Sequence, residues 1–137
     1  MADPILLVQP LISINSVDMV CYARSVKMTA SDDMQDIATF CTPNATRPGS
    51  TTWDVEIEFA QSYDTAGTDV FNTLLAIAKT AVAISIRPAT GAVGVTNPQA
   101  DFTAYIPTPT FLDGGVGESQ TFTMTLRPND DPVFTTA

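Results

Sequence analysis

Glu56 and Glu58 come nearest to residues whose spacing could do chemistry. In Trp53-Asp54-Val55-Glu56-Ile57-Glu58-Phe59 they stand two apart. On a strand they would share one face about 7 Å from each other, near the separation glycoside hydrolases use. Many solvated strands carry such a pair, and no sugar-stacking aromatics accompany this one. The chain contains no histidine, which removes the commonest general base and the commonest metal ligand. Ser119 follows Gly117-Glu118, but Gln120-Thr121 come next, so the nucleophile-elbow spacing fails. Asp113-Gly114-Gly115-Val116-Gly117 is glycine-rich but lacks the Lys-Ser/Thr of a phosphate loop. Cys21 and Cys41 alone, without histidine, make no zinc site. The residue types therefore predict no enzyme, no metal and no cofactor.

The stretch that would carry the carboxylates is the best-patterned part of the chain. Trp53–Phe59 alternates apolar and acidic without a slip, the period of a strand with one buried and one wet face. Asp54, Glu56 and Glu58 fall opposite Trp53, Val55, Ile57 and Phe59. Asp64-Thr65-Ala66-Gly67 reads as a turn, Thr68 as an N-cap, and Val70, Phe71, Leu74, Ile77 and Ala78 as the packing stripe of a three-turn helix. Alternation resumes at Val82, Ile84 and Ile86 and ends at Pro88. Phe102, Ala104 and Ile106 predict another strand. Thr121–Arg127 predicts a further one, with Phe122, Met124 and Leu126 inward and Thr121, Thr123 and Thr125 outward.

Upstream, Val17–Thr29 reads as a strand, Ala30–Asp33 as a turn and Ile37–Thr42 as the return strand. That hairpin would set Tyr22 near Phe40 and Cys21 near Cys41, with the thiols as small buried hydrophobes. Thr42–Thr52, with Pro43, Asn44, Pro48 and Gly49, reads as a loop. Residues 1–16 form an N-terminal arm with apolar patches at Ile5–Val8 and Leu11-Ile12. It either packs on its own domain or reaches a neighbouring subunit. Residues 17–132 form one mainly β domain, a sandwich or barrel with one flanking helix, and 133–137 a tail.

The chain has 137 residues, 45% apolar and only 15% charged, with net charge −9. So few charges suit a surface meant to be covered, where roughly a quarter is usual. An acidic chain of this kind does not hold nucleic acid by neutralising phosphates. Asp3 stands where a signal peptide needs a basic residue, and no membrane span is apparent. A reducing cytosol is the expected compartment.

Several stretches stand in a particular order: Ile14-Asn15-Ser16-Val17-Asp18, Tyr22-Ala23-Arg24-Ser25-Val26-Lys27-Met28 and Asp32-Asp33-Met34-Gln35-Asp36-Ile37-Ala38-Thr39-Phe40. Arg47-Pro48-Gly49 then precedes Trp53–Phe59. Phe102-Thr103-Ala104-Tyr105-Ile106-Pro107 precedes Gly114–Glu118 and Thr121–Leu126. In their order and spacing, these stretches along residues 11–127 resemble the tail tube (major tail) proteins of long-tailed phages. One departure is Cys41, where the family tends to carry glycine. The resemblance implies a β-sandwich with one flanking helix, forming homohexameric rings that stack into a virion tail tube. Such a tube is assembled in the host cytoplasm, joins other tail proteins and passes double-stranded DNA without binding it specifically. A capsid decoration protein and a stand-alone binding module are the alternatives. Under the tube reading, Ser31, Asp32, Asp33, Asn44, Arg47 and Gly49 are candidate ring-stacking loop residues. Asp54, Glu56 and Glu58 either keep an outer surface soluble or line the lumen as a negative wall. The Thr121, Thr123 and Thr125 face is the alternative lining.

Overall fold

The computed structural model describes residues 9–62 and 69–136. The Ile5–Val8 patch, the Asp64–Gly67 turn and Thr68 lie outside the described residues. Among these described residues strand makes up 52% and helix 6%, so the fold is mainly β, with two sheets and one helix among them.

The first sheet has the order β2-β1-β5-β6-β8, built from Val17–Asp18, Leu11–Ile14, Ala81–Arg87, Gln99–Tyr105 and Val133–Thr135. The second has the order β3-β4-β7, from Ala23–Asp36, Thr46–Ala60 and Thr121–Leu126. All named strand pairs are antiparallel. Leu11–Ile14, set apart above as arm, is thus an inner strand between β2 and β5. Asn15 and Ser16 both have positive φ (52° and 66°), as a two-residue hairpin turn whose twist matches its strands requires.

Period-two patterning places the core as expected. Ile12, Ile14, Val82, Ile84, Phe102 and Ala104 of one sheet face Val55, Ile57, Phe59, Phe122, Met124 and Leu126 of the other, all buried. Phe59 and Phe122 lie side by side with ring centroids 5.5 Å apart. Trp53 of β4 and Phe134 of β8 meet between the sheets at 5.4 Å. Val133–Ala137, expected to be a tail, therefore contributes an edge strand.

The helix is shorter than its stripe predicts. It spans Val70–Ala76, and Asp69 is the N-cap. The Asp69 carboxylate accepts from the Asn72 backbone N–H at 3.1 Å and from its side-chain amide at 2.7 Å, satisfying a helix-end donor. Val70 and Leu74 are buried, while Phe71 and Ile77 are half-buried. Ile77 is the C-cap, and Ala78 bridges to Ile106 of the first sheet. With that bridge the helix ends two residues before the last residue of its stripe.

The predicted Val17–Thr42 hairpin is corrected. β3 does not turn at Ala30–Asp33 but runs on to Asp36, and its partner is β4, not Ile37–Thr42. Residues 37–45 form the connection. Cys21 and Cys41 sit near opposite ends of this long hairpin and both are exposed. At about 3.4 Å per residue the ladder between them is on the order of 45 Å long. The expected Tyr22–Phe40 and Cys21–Cys41 pairs do not form. The thiols are not buried hydrophobes either.

Candidate assembly surfaces

The expected stacking loops are the outer half of one β-ribbon. Ser31 and Asp32 pair with Thr52 and Thr51, Gln35 with Arg47, and Asp36 with Thr46. A bulge separates Asp32 from Met34, which pairs with Pro48. Ser31, Asp32 and Asp33 are thus strand residues, as are Arg47 and Gly49; only Asn44 lies in the connection. Gly49 serves the bulge directly, because a Cβ there would stand 2.7 Å from the Asp33 carbonyl oxygen. Thr51 Oγ1 donates to Asp32 Oδ1 at 2.6 Å across the ribbon.

From Thr29 to Thr52 every residue except Ala45 is exposed. The ribbon buries neither face, so nothing among the described residues packs against it. Met34 and Ile37 are 56% and 42% exposed, and Phe40 is fully bare at the tip. An isolated two-stranded ribbon is at best marginally stable in water. At the opposite end of β4, Gln61 donates its side-chain amide to the Thr110 and Phe111 carbonyls. Phe111, Leu112 and Val116 stand exposed there, beyond the helix. Phe71 touches Phe111, with ring centroids 5.5 Å apart. The molecule therefore carries an exposed apolar group at each pole.

The outer face of the β3-β4-β7 sheet carries Asp54, Glu56 and Glu58 as expected, but its charge is not. Arg127 Nε donates to Asp54 Oδ1 at 3.1 Å. Arg24 approaches Glu58 at 4.0 Å, and Lys27 is the cross-strand partner of Glu56. Three carboxylates thus share one face with three basic residues, two of them in ion pairs and Lys27 opposite Glu56 in register, so the cations are less scattered here than expected. Thr123 and Thr125 pair with Glu58 and Glu56, so the threonine row is not an alternative lining but the neighbouring row of the same face. This matching came from strand register, a long-range property that patterning within one strand cannot show.

Both edges of this sheet are open: among the described residues, no strand pairs with the outer side of β3 or of β7. A cleft of about 740 Å³ opens at the C-terminal end of β7, lined by Tyr105, Pro107, Thr125, Arg127 and Asn129 among others. A second hollow between Pro107–Thr110 and Phe122–Thr125 continues it. As for chemistry, no group of three or more His, Cys, Asp or Glu side chains comes together among the described residues. No helix among the described residues is long and apolar enough to cross a membrane. No protein-family model matches the chain, and no curated protein matches it.

Proposed function

We propose that this chain is a structural subunit that joins copies of itself edge to edge into rings and end to end into a tube of the phage-tail type. The observation that carries the reading is the β3–β4 ribbon, which extends well past the core with both faces bare. Apolar side chains presented on such a ribbon call for a partner.

Two further features support the same reading. Open edges on β3 and β7 invite another strand, and the hollow beside β7 with the cleft at its end leaves space there. Six copies of the three-stranded sheet would give about 18 strands. At a spacing of ~4.8 Å and a tilt near 40°, these close at roughly 36 Å across. Subtracting a side-chain layer of about 5 Å on each side, half the usual distance between packed sheets, leaves an opening of roughly 25 Å. That admits a nucleic-acid duplex. The apolar core fixes one sheet face inward to the subunit, so the face bearing Asp54, Glu56, Glu58 and the threonines would line the passage. Its matched charges would neither grip phosphates nor strongly repel them.

The poles are different surfaces, with Ile37 and Phe40 at one and Phe111, Leu112 and Val116 at the other. A contact between unlike surfaces is head-to-tail, and along an axis it does not close. Stacked rings follow, with the ribbon of each copy reaching the next ring.

Negative-stain electron microscopy of the purified chain at rising concentration tests the proposal. Rings about the width of a closed sheet, or tubes of them, are expected. A strictly monomeric or trimeric particle at every concentration overturns it, and a trimer would favour a capsid decoration protein.

A further inference from the structure

Strand directions in the three-stranded sheet restrict how one copy can meet the next. β4 is antiparallel to β3 and also to β7, so β3 and β7 run the same way. Each has an open outer edge among the described residues. Cross-strand register carries straight across the sheet. Lys27, Glu56 and Thr125 form one row on the outer face, and Met28, Val55 and Leu126 form one on the core face. The core-facing rows are finished at one end only. Met124 and Leu126 are buried at the β7 end, whereas Val26 and Met28 are half-buried at the β3 end. There they line an apolar groove of about 320 Å³. Apolar side chains left at a sheet edge favour a neighbour that covers them.

We propose that adjacent copies in a ring join by a parallel strand pair, β7 of one copy against the Ala23–Thr29 stretch of β3 in the next. This rests on the ring reading above and gives its junction two named strands and a polarity. Rotation about a ring axis keeps the direction of every strand along that axis. A junction of β7 with the next copy's β3 is then parallel, whatever the number of copies. Within one chain a parallel pair needs a long crossover; between chains it needs no connection. Two unlike edges are also what a closing rotation requires. Charge separates this junction from a two-fold one. Arg24 reaches Glu58 and Lys27 pairs with Glu56, so both cations stand on the outer face of β3. An antiparallel β3–β3 pair centred on this stretch would set them beside their own equivalents, a destabilising arrangement of like charges. The outer face of β7 offers threonine hydroxyls instead. Only registers that keep each face continuous leave the apolar rows on the core side. Those registers place Thr123 and Thr125 in the row of Ser25, Lys27 and Thr29, and Met124 and Leu126 in the row of Val26 and Met28. The core face of one copy then runs into that of the next, and Val26 and Met28 are covered.

Cysteine pairs in the assembled full chain test the junction. Cys21→Ser and Cys41→Ser remove the two exposed thiols. Thr123→Cys or Thr125→Cys is then combined with Ser25→Cys, Lys27→Cys, Thr29→Cys or Ser31→Cys, all at exposed positions. Circular dichroism checks that each variant keeps the parent fold. A disulfide needs Cα atoms about 4.4–6.8 Å apart. Within one copy β4 separates the two strands by about 9–10 Å, too far to bridge. Mild oxidation of rings should therefore give a ladder of covalent oligomers, reversed by reductant, while single-cysteine variants stay monomeric. Polarity is read from the best pairs. Whichever β3 position serves Thr123→Cys, the one two residues later should serve Thr125→Cys. A best position two residues earlier means an antiparallel junction and overturns the proposal. Dilution-independent dimers of a single-cysteine variant mark a two-fold contact and overturn it as well. Rings seen by electron microscopy in which no pair cross-links would overturn the junction and leave the ring reading standing. Absence of rings at every concentration would overturn both.

Discussion

Cutting the ribbon back to the sandwich should separate folding from assembly. Asp32 pairs with Thr51 and Ser31 with Thr52, so replacing residues 33–50 by Asn-Gly joins two paired positions with a favoured two-residue hairpin turn. Everything removed is exposed apart from half-buried Ala45, so little apolar burial is lost. The hydrogen bonds lost are water-exposed, and the groups that made them go too, leaving no orphan. The connection shrinks from the stretch 37–45 to two residues. By loop-closure entropy that contributes about (3/2)RT ln(9/2), or ~1.3 kcal/mol, in favour of the shortened form. The shortened chain should therefore be as stable as the parent to within about 1–2 kcal/mol, a melting shift of no more than roughly 3–8 °C for a domain of this size. Thermal unfolding by circular dichroism measures this, and electron microscopy at high concentration measures assembly. Folded subunits that no longer form long tubes are the expected outcome. Loss of folding would mean that the ribbon stabilises its own subunit, against the burial argument. Tubes of normal length would mean that stacking runs through other surfaces.

The helix offers a contrast between neighbours: Leu74 is fully buried and Leu75 is 45% exposed. Leu74→Ala should cost about 2–5 kcal/mol and Leu74→Asp should unfold the subunit, while Leu75→Ala should change stability by no more than ~0.5 kcal/mol, all read by urea denaturation. Asn97 is buried, accepts from the Ala89 N–H at 3.0 Å and donates to the Ala89, Gly91 and Ala92 carbonyls. Asn97→Ala should cost roughly 1–3 kcal/mol and speed amide exchange across residues 88–98 more than in the core. Gly49→Val should disrupt the bulge at Asp33 without lowering the melting temperature of the core, visible as loss of ribbon amide protection alone. Asp54→Arg should lower stability by up to about 1 kcal/mol because it faces Arg127 with a like charge, and adding Arg127→Asp should restore it. A double-mutant cycle with no coupling would show that this exposed ion pair has no part in ordering the face.

What could be read from the sequence follows from what each segment buries. β4 beyond Trp53, β5, β6 and β7 each press one face on the core, so their apolar residues recur every second position, and all four were placed to within a few residues. The ribbon buries neither face. Selection by a core therefore leaves no alternation in Ser31–Asp36 or Thr46–Thr52, and Pro48, Gly49 and Ser50 made a strand read as a loop. The apparent return strand at Ile37–Thr42 came from the same cause, since Ile37 and Phe40 are apolar without being core. Their exposure is the signal that composition alone misassigned. In Leu11–Ile14 the alternation was present, with Ile12 and Ile14 buried and Ser13 between them. It is too short to outweigh Pro10 beside it. The helix was found by its stripe, but its end was set by the Ala78–Ile106 bridge, a contact with a residue far along the chain.

The charged face sharpens the same point. Alternation in Trp53–Phe59 fixes that Asp54, Glu56 and Glu58 share a side, and nothing within that strand says what lies beside them. Their partners come from β3 and from the end of β7, through register with Lys27 and contacts from Arg24 and Arg127. Those three are half of the chain's six basic residues, gathered on the one sheet whose edges are open. The net charge of −9 must then reside mainly elsewhere. Asp32, Asp33 and Asp36 lie on the bare ribbon with Arg47 as their one basic companion there, and Asp130 and Asp131 follow β7. A negatively charged ribbon entering a neighbouring copy would do so most readily where cations or ordered salt offset it. Ring stacking, if it runs through the ribbon, should therefore strengthen with moderate ionic strength, while the charge-matched sheet face should respond little.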